Sequence, residues 1–127
     1  MISVPRILPA LVFALAASGF ATGALAQAPA KMADGMLTNN AGMTLYTFDK
    51  DADGKSACNG PCAANWPPLM AGAAAKPSGN WTIVTRDDGA KQWAYKGKPL
   101  YLWVKDQKPG DKTGEGMASN AWHVAKQ

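Results

Sequence analysis

The chain has 127 residues, 47% of them hydrophobic, and a formal charge of +4 from 13 basic and 9 acidic residues. Charges of both signs are mixed along it with no run of either, which argues against a nucleic-acid site and leaves a mildly basic solvated surface. Five tryptophans describe a small core that leans on large rings, with an aromatic ligand platform as the lesser alternative.

At the N-terminus Arg6 supplies a positive charge, Ile7 to Ala17 is apolar, and Ala24-Leu25-Ala26 is a small-x-small cleavage site. Residues 1–26 read as a secretory signal peptide, too short and wrongly flanked for a membrane span. No cysteine follows the apolar run, so no lipid anchor is expected, and no later segment reaches the roughly 18 apolar residues of a transmembrane helix. The expectation is an exported chain, periplasmic or secreted, whose charge falls to +3 when Arg6 is removed with the signal.

Residues 27–34 are Ala-rich and aperiodic and read as a mobile leader. Residues 35–127 then form one domain. Gly35–Leu37 is a short strand, Thr38–Gly42 a turn, and Met43–Phe48 a strand with Tyr46 and Phe48 on one face and Met43 and Leu45 on the other. Asp49–Pro68 is a long structured loop with a turn of helix at Ala63-Ala64-Asn65. Leu69–Gly79 reads as a flexible surface segment. Trp81–Thr85 and Lys91–Tyr95 are strands around an Asp87-Asp88-Gly89 turn. Lys96-Gly97-Lys98 turns the chain into a strand at Pro99–Val104, a second Gly-rich loop follows, and Ala121–Ala125 is the last strand. No sustained 3.6-residue apolar period occurs after the signal, so the fold class is all-β.

The chain repeats itself. Gly42-Met43-Thr44-Leu45-Tyr46-Thr47-Phe48-Asp49-Lys50-Asp51 aligns with Gly97-Lys98-Pro99-Leu100-Tyr101-Leu102-Trp103-Val104-Lys105-Asp106, and each copy runs through a Gly-rich loop to a tryptophan, Trp66 or Trp122. Repeat 1 spans about 35–70, a linker and hairpin strand 71–90, and repeat 2 about 91–126. Neither half buries its faces alone, which implies one shared core.

Tyr46-x-Phe48-x-x-Asp51 and Tyr101-x-Trp103-x-x-Asp106 both fit Y-x-(F/W/Y)-x-x-D. With Cys58-Asn59-Gly60-Pro61-Cys62, Trp66-Pro67-Pro68, Arg86-Asp87-Asp88-Gly89, Gln92-Trp93-Ala94-Tyr95 and Trp122-His123-Val124, the chain resembles the bacterial secreted-repeat family of unknown function, predicted lipoproteins and secreted proteins that carry this motif. The resemblance spans Gly35 to Lys126 and implies no particular activity. The missing lipobox cysteine departs from the lipoprotein members.

Several residue groups invite chemistry. Asp49-x-Asp51-x-Asp53-Gly54 has the spacing of the first half of a calcium loop, but the position for a bidentate glutamate is Gly60. Structural aspartates accepting backbone N–H bonds at a strand exit are the competing reading, and the favoured one. Cys58-x-x-x-Cys62 admits a disulfide stapling the loop, a redox-active dithiol, or, with His123, a copper site; an exported chain favours the disulfide. His123, the one histidine, sits between apolar strand residues, where a structural role is commoner than ligation. Met117 is a nearby soft donor, and Met32, Met36 and Met43 read as filling. Tyr46, Phe48, Asp51, Tyr101, Trp103 and Asp106 read as framework. No catalytic set is recognisable and no cofactor is expected beyond calcium or copper. The expectation is therefore a non-enzymatic exported module, binding an unknown protein or small-molecule ligand or serving a structural role, against an alternative of a cell-envelope metal or redox accessory protein.

Overall fold

The computed structural model describes residues 29–52 and 54–127; the expected signal peptide lies outside them. Along the chain run β1 (Ala30–Ala33), β2 (Met36–Asn39), β3 (Tyr46–Phe48), the short helix α1 (Pro61–Asn65), β4 (Trp81–Thr85), β5 (Lys91–Tyr95), β6 (Lys98–Pro99), the single turn α2 (Met117–Asn120) and β7 (Trp122–Val124). Three small antiparallel sheets result: β1 with β2, β3 with β7, and β4-β5-β6. The protein is all-β apart from the two helical turns.

Two hairpins turn on paired positive-φ residues, Asp34-Gly35 (54° and 79°) and Lys96-Gly97 (52° and 84°). Such two-residue turns match the right-handed twist of the strands they join. The first corrects the mobile-leader expectation: Ala30–Ala33 is paired in register with Met36–Asn39. The segment from Leu69 is also more ordered than its composition implies. Leu69 N–H donates to Leu100 O at 2.9 Å, Trp93 N–H to Leu69 O at 2.8 Å, and Ala71 N–H to Lys91 O at 3.0 Å. Its backbone groups are taken up by β5 and the residues after β6, so it is held as a strand would be.

The two repeats are related by an approximate two-fold axis that passes between Tyr46 and Tyr101. These residues exchange both backbone hydrogen bonds, at 2.8 and 2.9 Å. Each copy's tail closes the other copy's hairpin. Leu69 of repeat 1 bonds Leu100 and Trp93 as above, and Leu100 N–H donates to Trp93 O at 3.0 Å. In repeat 2, Ala125 N–H donates to Leu45 O at 2.8 Å, Leu37 N–H to Ala125 O at 2.9 Å, and Leu45 N–H to Leu37 O at 3.0 Å. The two triplets have the same sense and interlock the halves.

On the axis lies a column of stacked rings. Phe48 stacks on Trp122 at 4.2 Å between centroids, Trp122 on Trp66 at 3.8 Å, and Trp66 on Trp103 at 4.0 Å. Tyr46 meets Trp66 edge-on, and Tyr101 meets Trp122 in the same way. Gly114 seals one side of the column. A Cβ there would lie 2.7 Å from the Trp66 ring and 3.0 Å from Tyr46, a space open only to glycine. A second core of Ala30, Leu37, Leu45, Leu100 and Ala125 fills the opposite face, as strand alternation requires of Leu45 beside Tyr46.

The motif tyrosines and aspartates bond across the repeats. Tyr46 Oη donates to Asp106 Oδ2 at 2.7 Å, and Tyr101 Oη to Asp51 Oδ2 at 2.7 Å. Each aspartate's other oxygen accepts a loop N–H, from Ala57 at 2.7 Å for Asp51 and from Thr113 at 2.9 Å for Asp106. Burial foremost, then the bond to Asp106, raises the Tyr46 phenol above its ordinary range, so it stays a donor at all physiological pH.

Removing one hydroxyl leaves a sequestered carboxylate a donor short. Tyr46→Phe and Tyr101→Phe should each lower stability by about 1.5–3 kcal/mol in urea unfolding; a loss below about 0.5 kcal/mol for both, the size of an ordinary surface substitution, would show that these bonds do not hold the halves together.

Candidate functional site

In β3 and β7 the odd and even residues face opposite ways. Tyr46 and Phe48 pair with Val124 and Trp122 over the ring column, so the intervening pair, Thr47 and His123, is turned to the other side. Asp49, at the exit of β3, and Glu115, in the loop before α2, flank the imidazole. His123 Nε2 lies 3.0 Å from Asp49 Oδ2, and Nδ1 lies 3.1 Å from Glu115 Oε2. Glu115 is aimed by its second oxygen, which accepts the Val124 N–H at 2.7 Å.

Ionised carboxylates only accept hydrogen bonds, so satisfying both contacts requires a proton on each ring nitrogen. The arrangement therefore favours imidazolium. The bond to Asp49, then that to Glu115, raises the His123 pKa above its usual value, and the Val124 N–H foremost lowers that of Glu115. In this state the ring has no lone pair for a metal or for proton abstraction.

The triad forms one side of an open groove of about 500 Å³, within the usual size of small-ligand sites. Its floor contains the buried residues Leu100 and Ala125. The β5–β6 turn supplies Tyr95, Lys96 and Lys98, and Lys126 follows β7. The Lys96 ammonium sits 5.5 Å from the centre of the Tyr95 ring.

The cysteines lie elsewhere. Cys58 and Cys62 are bonded, with S–S 2.03 Å, and Cys58 is buried against the core that holds Trp66 and Trp122. Trp122 belongs to the face of β7 opposite to His123, so the structure does not bring the three proposed copper ligands together. Of the proposed calcium ligands, Asp49 faces His123, Asp51 has one oxygen on Ala57 N–H and the other on Tyr101 Oη, and Asp53 lies outside the described residues. Burial raises the Asp51 pKa against the lowering effect of those bonds. Among the described residues no group of three or more His, Cys, Asp or Glu side chains is placed to hold a metal ion.

A polar cluster that sequence reasoning missed lies beside Asp51. The Arg86 guanidinium is 5% exposed and donates to Ser56 Oγ at 3.0 Å, Gln92 Oε1 at 2.8 Å and the Cys58 carbonyl. Ser56 Oγ meets Tyr101 Oη at 2.6 Å, which ties Arg86 to the Tyr101–Asp51 pair. These contacts clamp the disulfide loop to the β4–β5 hairpin.

Glu115 and the groove lysines were also missed as site residues. Glu115 sits in a Gly-rich loop with no periodicity to mark it. The repeat does carry a signal for its partners: Asp49 corresponds to Val104, and one residue after the paired tryptophans His123 corresponds to Pro67. The triad thus lies where the internal symmetry breaks.

The family model described as a secreted repeat of unknown function matches two segments of the chain, residues 29–70 and 82–126. They coincide with the two halves that interlock about the ring column. No curated protein and no solved structure matches the chain. Among the described residues no helix is long and apolar enough to cross a membrane.

The raised His123 pKa has a definite thermodynamic sign. Its stabilising contribution is complete below the unfolded value of about 6.5 and is lost as pH rises through the higher folded value. In an NMR titration the His123 ring signals should report a midpoint above that of a free histidine, and Asp49→Asn should lower it; a wild-type midpoint at or below 6.5 would contradict the doubly bonded ring. Millimolar calcium should leave the melting temperature unchanged, because both Asp51 oxygens are bonded and Asp49 faces a cation already. A rise of several degrees that a chelator reverses would show that the aspartates turn to bind the ion.

Proposed function

Because the chain belongs to the family of secreted repeats of unknown function, we propose that it works outside the cytoplasm as a non-enzymatic binding module, with the groove beside His123 as its binding face. Export through cleavage near Ala26 and a periplasmic or secreted location belong to this reading. The observation that carries it is the break in symmetry. Residues shared by the two copies are used on the ring column, the Tyr–Asp bonds and the interlocked tails. The Asp49–His123–Glu115 set is not repeated at the symmetry-related end, where Val104 and Pro67 stand in place of Asp49 and His123, and it lines an open groove.

The chemistry of the set supports binding over catalysis. A ring held as imidazolium by two carboxylates offers neither a base nor a nucleophile's activator, and its charge is fixed in place beside the half-buried Tyr95 and three lysines. Polar groups oriented around a concave space are a feature of recognition sites.

The test is an NMR screen of the mature protein against a library of small fragments of mixed charge. Amide shifts should cluster at Thr47, Tyr95, Lys98 and His123. Shifts scattered over the surface, or none, would remove the groove as the binding face, and reproducible turnover of an ester, peptide or glycoside that is lost in His123→Ala would overturn the non-enzymatic reading.

A further inference from the structure

The charge around the groove selects among ligands. Its two side-chain carboxylates, Asp49 and Glu115, are both committed to His123. Three lysines, Lys96, Lys98 and Lys126, stand on the remaining lining, and among the described residues none of them is paired with a carboxylate. With His123 protonated the lining side chains carry four positive charges against two negative ones that are spent on the imidazole, and the terminal carboxylate at Gln127, also in the lining, adds one further negative charge that among the described residues pairs with none of the three lysines. Lys96 leans on the Tyr95 ring, which leaves Lys98 and Lys126 as the free ammonium groups. Among the described residues the Thr47 hydroxyl has no hydrogen-bond partner, and it lines the same space.

Beneath these groups the floor is closed, with Leu100 0% and Ala125 3% exposed, so the apolar surface open to a ligand comes from Tyr95 and the lysine stems. Tyr95, half-buried and among the lining residues, adds an aromatic ring. A partly exposed aromatic ring with unpaired cations beside it matches an amphipathic anion: a flat body against Tyr95 and the lysine stems, and an acidic group beside Lys98, Lys126 and the Thr47 hydroxyl.

The symmetry-related end of the molecule does not repeat this arrangement. There, Leu102 replaces Thr47, Val104 replaces Asp49 and Pro67 replaces His123, so neither the hydroxyl nor the fixed imidazolium exists on that side. The hydroxyl and the fixed imidazolium belong to one end of the molecule.

From this lining we infer that the groove binds a small organic anion, a carboxylate or an acid of similar size on an apolar body. The inference rests on the binding reading given above. Three probes of nearly equal shape separate the two: 1-naphthoate, 1-naphthalenemethanol and 1-naphthylmethylammonium, each titrated into the mature protein by NMR. Naphthoate should shift Thr47, Tyr95 and Val124 and bind roughly tenfold more tightly than the alcohol, the size expected of two or three exposed charge contacts. The ammonium probe should bind most weakly.

Lys98→Glu/Lys126→Glu should abolish the preference for naphthoate, while Lys31→Glu/Lys105→Glu, which reverses two lysines that are not among the groove's lining residues, should leave it. Both variants change exposed side chains, and their unchanged melting curves verify the fold. Equal or tighter binding of the alcohol or ammonium in the groove would overturn the anion assignment and leave the groove as a binding face. Absence of groove shifts with all three probes would overturn both, and an equal loss of naphthoate binding in the two lysine variants would reduce the effect to net charge.

Discussion

The molecule depends on a pair of hydrogen bonds that cross its internal axis. A tyrosine from each repeat donates to the aspartate of the other, and the same two tyrosines exchange backbone bonds at the crossing point. The motif is therefore a relation between copies. Its tyrosine and its aspartate are five residues apart in sequence, yet each finds its partner in the other half. The middle aromatic, Phe48 or Trp103, caps an end of the ring column that the two loop tryptophans fill. Tyrosine, aromatic and aspartate thus serve three different joints of one interlocked core. Few residues are spent elsewhere, which is how a domain this short sequesters its polar hydroxyls and carboxylates together without leaving them unpaired.

Against this symmetric frame, the departures are informative. One end carries a histidine fixed between two carboxylates, at the place where the other end has valine and proline. The other departure is Arg86, whose buried guanidinium binds a serine, a glutamine and a carbonyl of the disulfide loop. A guanidinium inside a protein is tolerated only when its donors are used, and here they hold the long loop of repeat 1 to the hairpin of repeat 2. The first departure faces solvent and the second faces inward, which separates the residues available to a ligand from those that keep the loop in place.

Much of the frame was legible in the sequence. Alternation gave the strands, the offset between Tyr46 and Tyr101 gave the repeat, and the recurrence of Asp51 at Asp106 marked both as structural. Three things were harder to see. Asp34-Gly35 is a strong hairpin signal, but the Ala-rich residues before it have little strand propensity, and it is pairing with β2 that orders them. Leu69–Ala71 looked like a surface loop because its composition is loop-like, whereas its conformation is set by backbone bonds to the other repeat, to which side-chain pattern is blind. Glu115 and the lysines reach the groove through the path of loops, and no local period records where a loop ends in space. Asp49 and His123 were both noticed, but for separate metals; their meeting 3.0 Å apart is a product of the register between β3 and β7.

The exchanged tails bear on how such a protein arises. A single copy of the repeat carries a closing strand that does not fit back on its own hairpin but fits that of an identical neighbour. Two separate copies would satisfy each other as a symmetric pair, with the ring column and the crossed tyrosines at the interface between them. In the present chain the segment from Gly72 to Asn80 joins what would otherwise be two subunits. Once joined, the halves are free to diverge, and a histidine with its two carboxylates can be acquired at one end without being imposed on the other. A homodimer, bound to equivalence, must change both ends at once; a fused one can keep one end as scaffold and give the other a ligand.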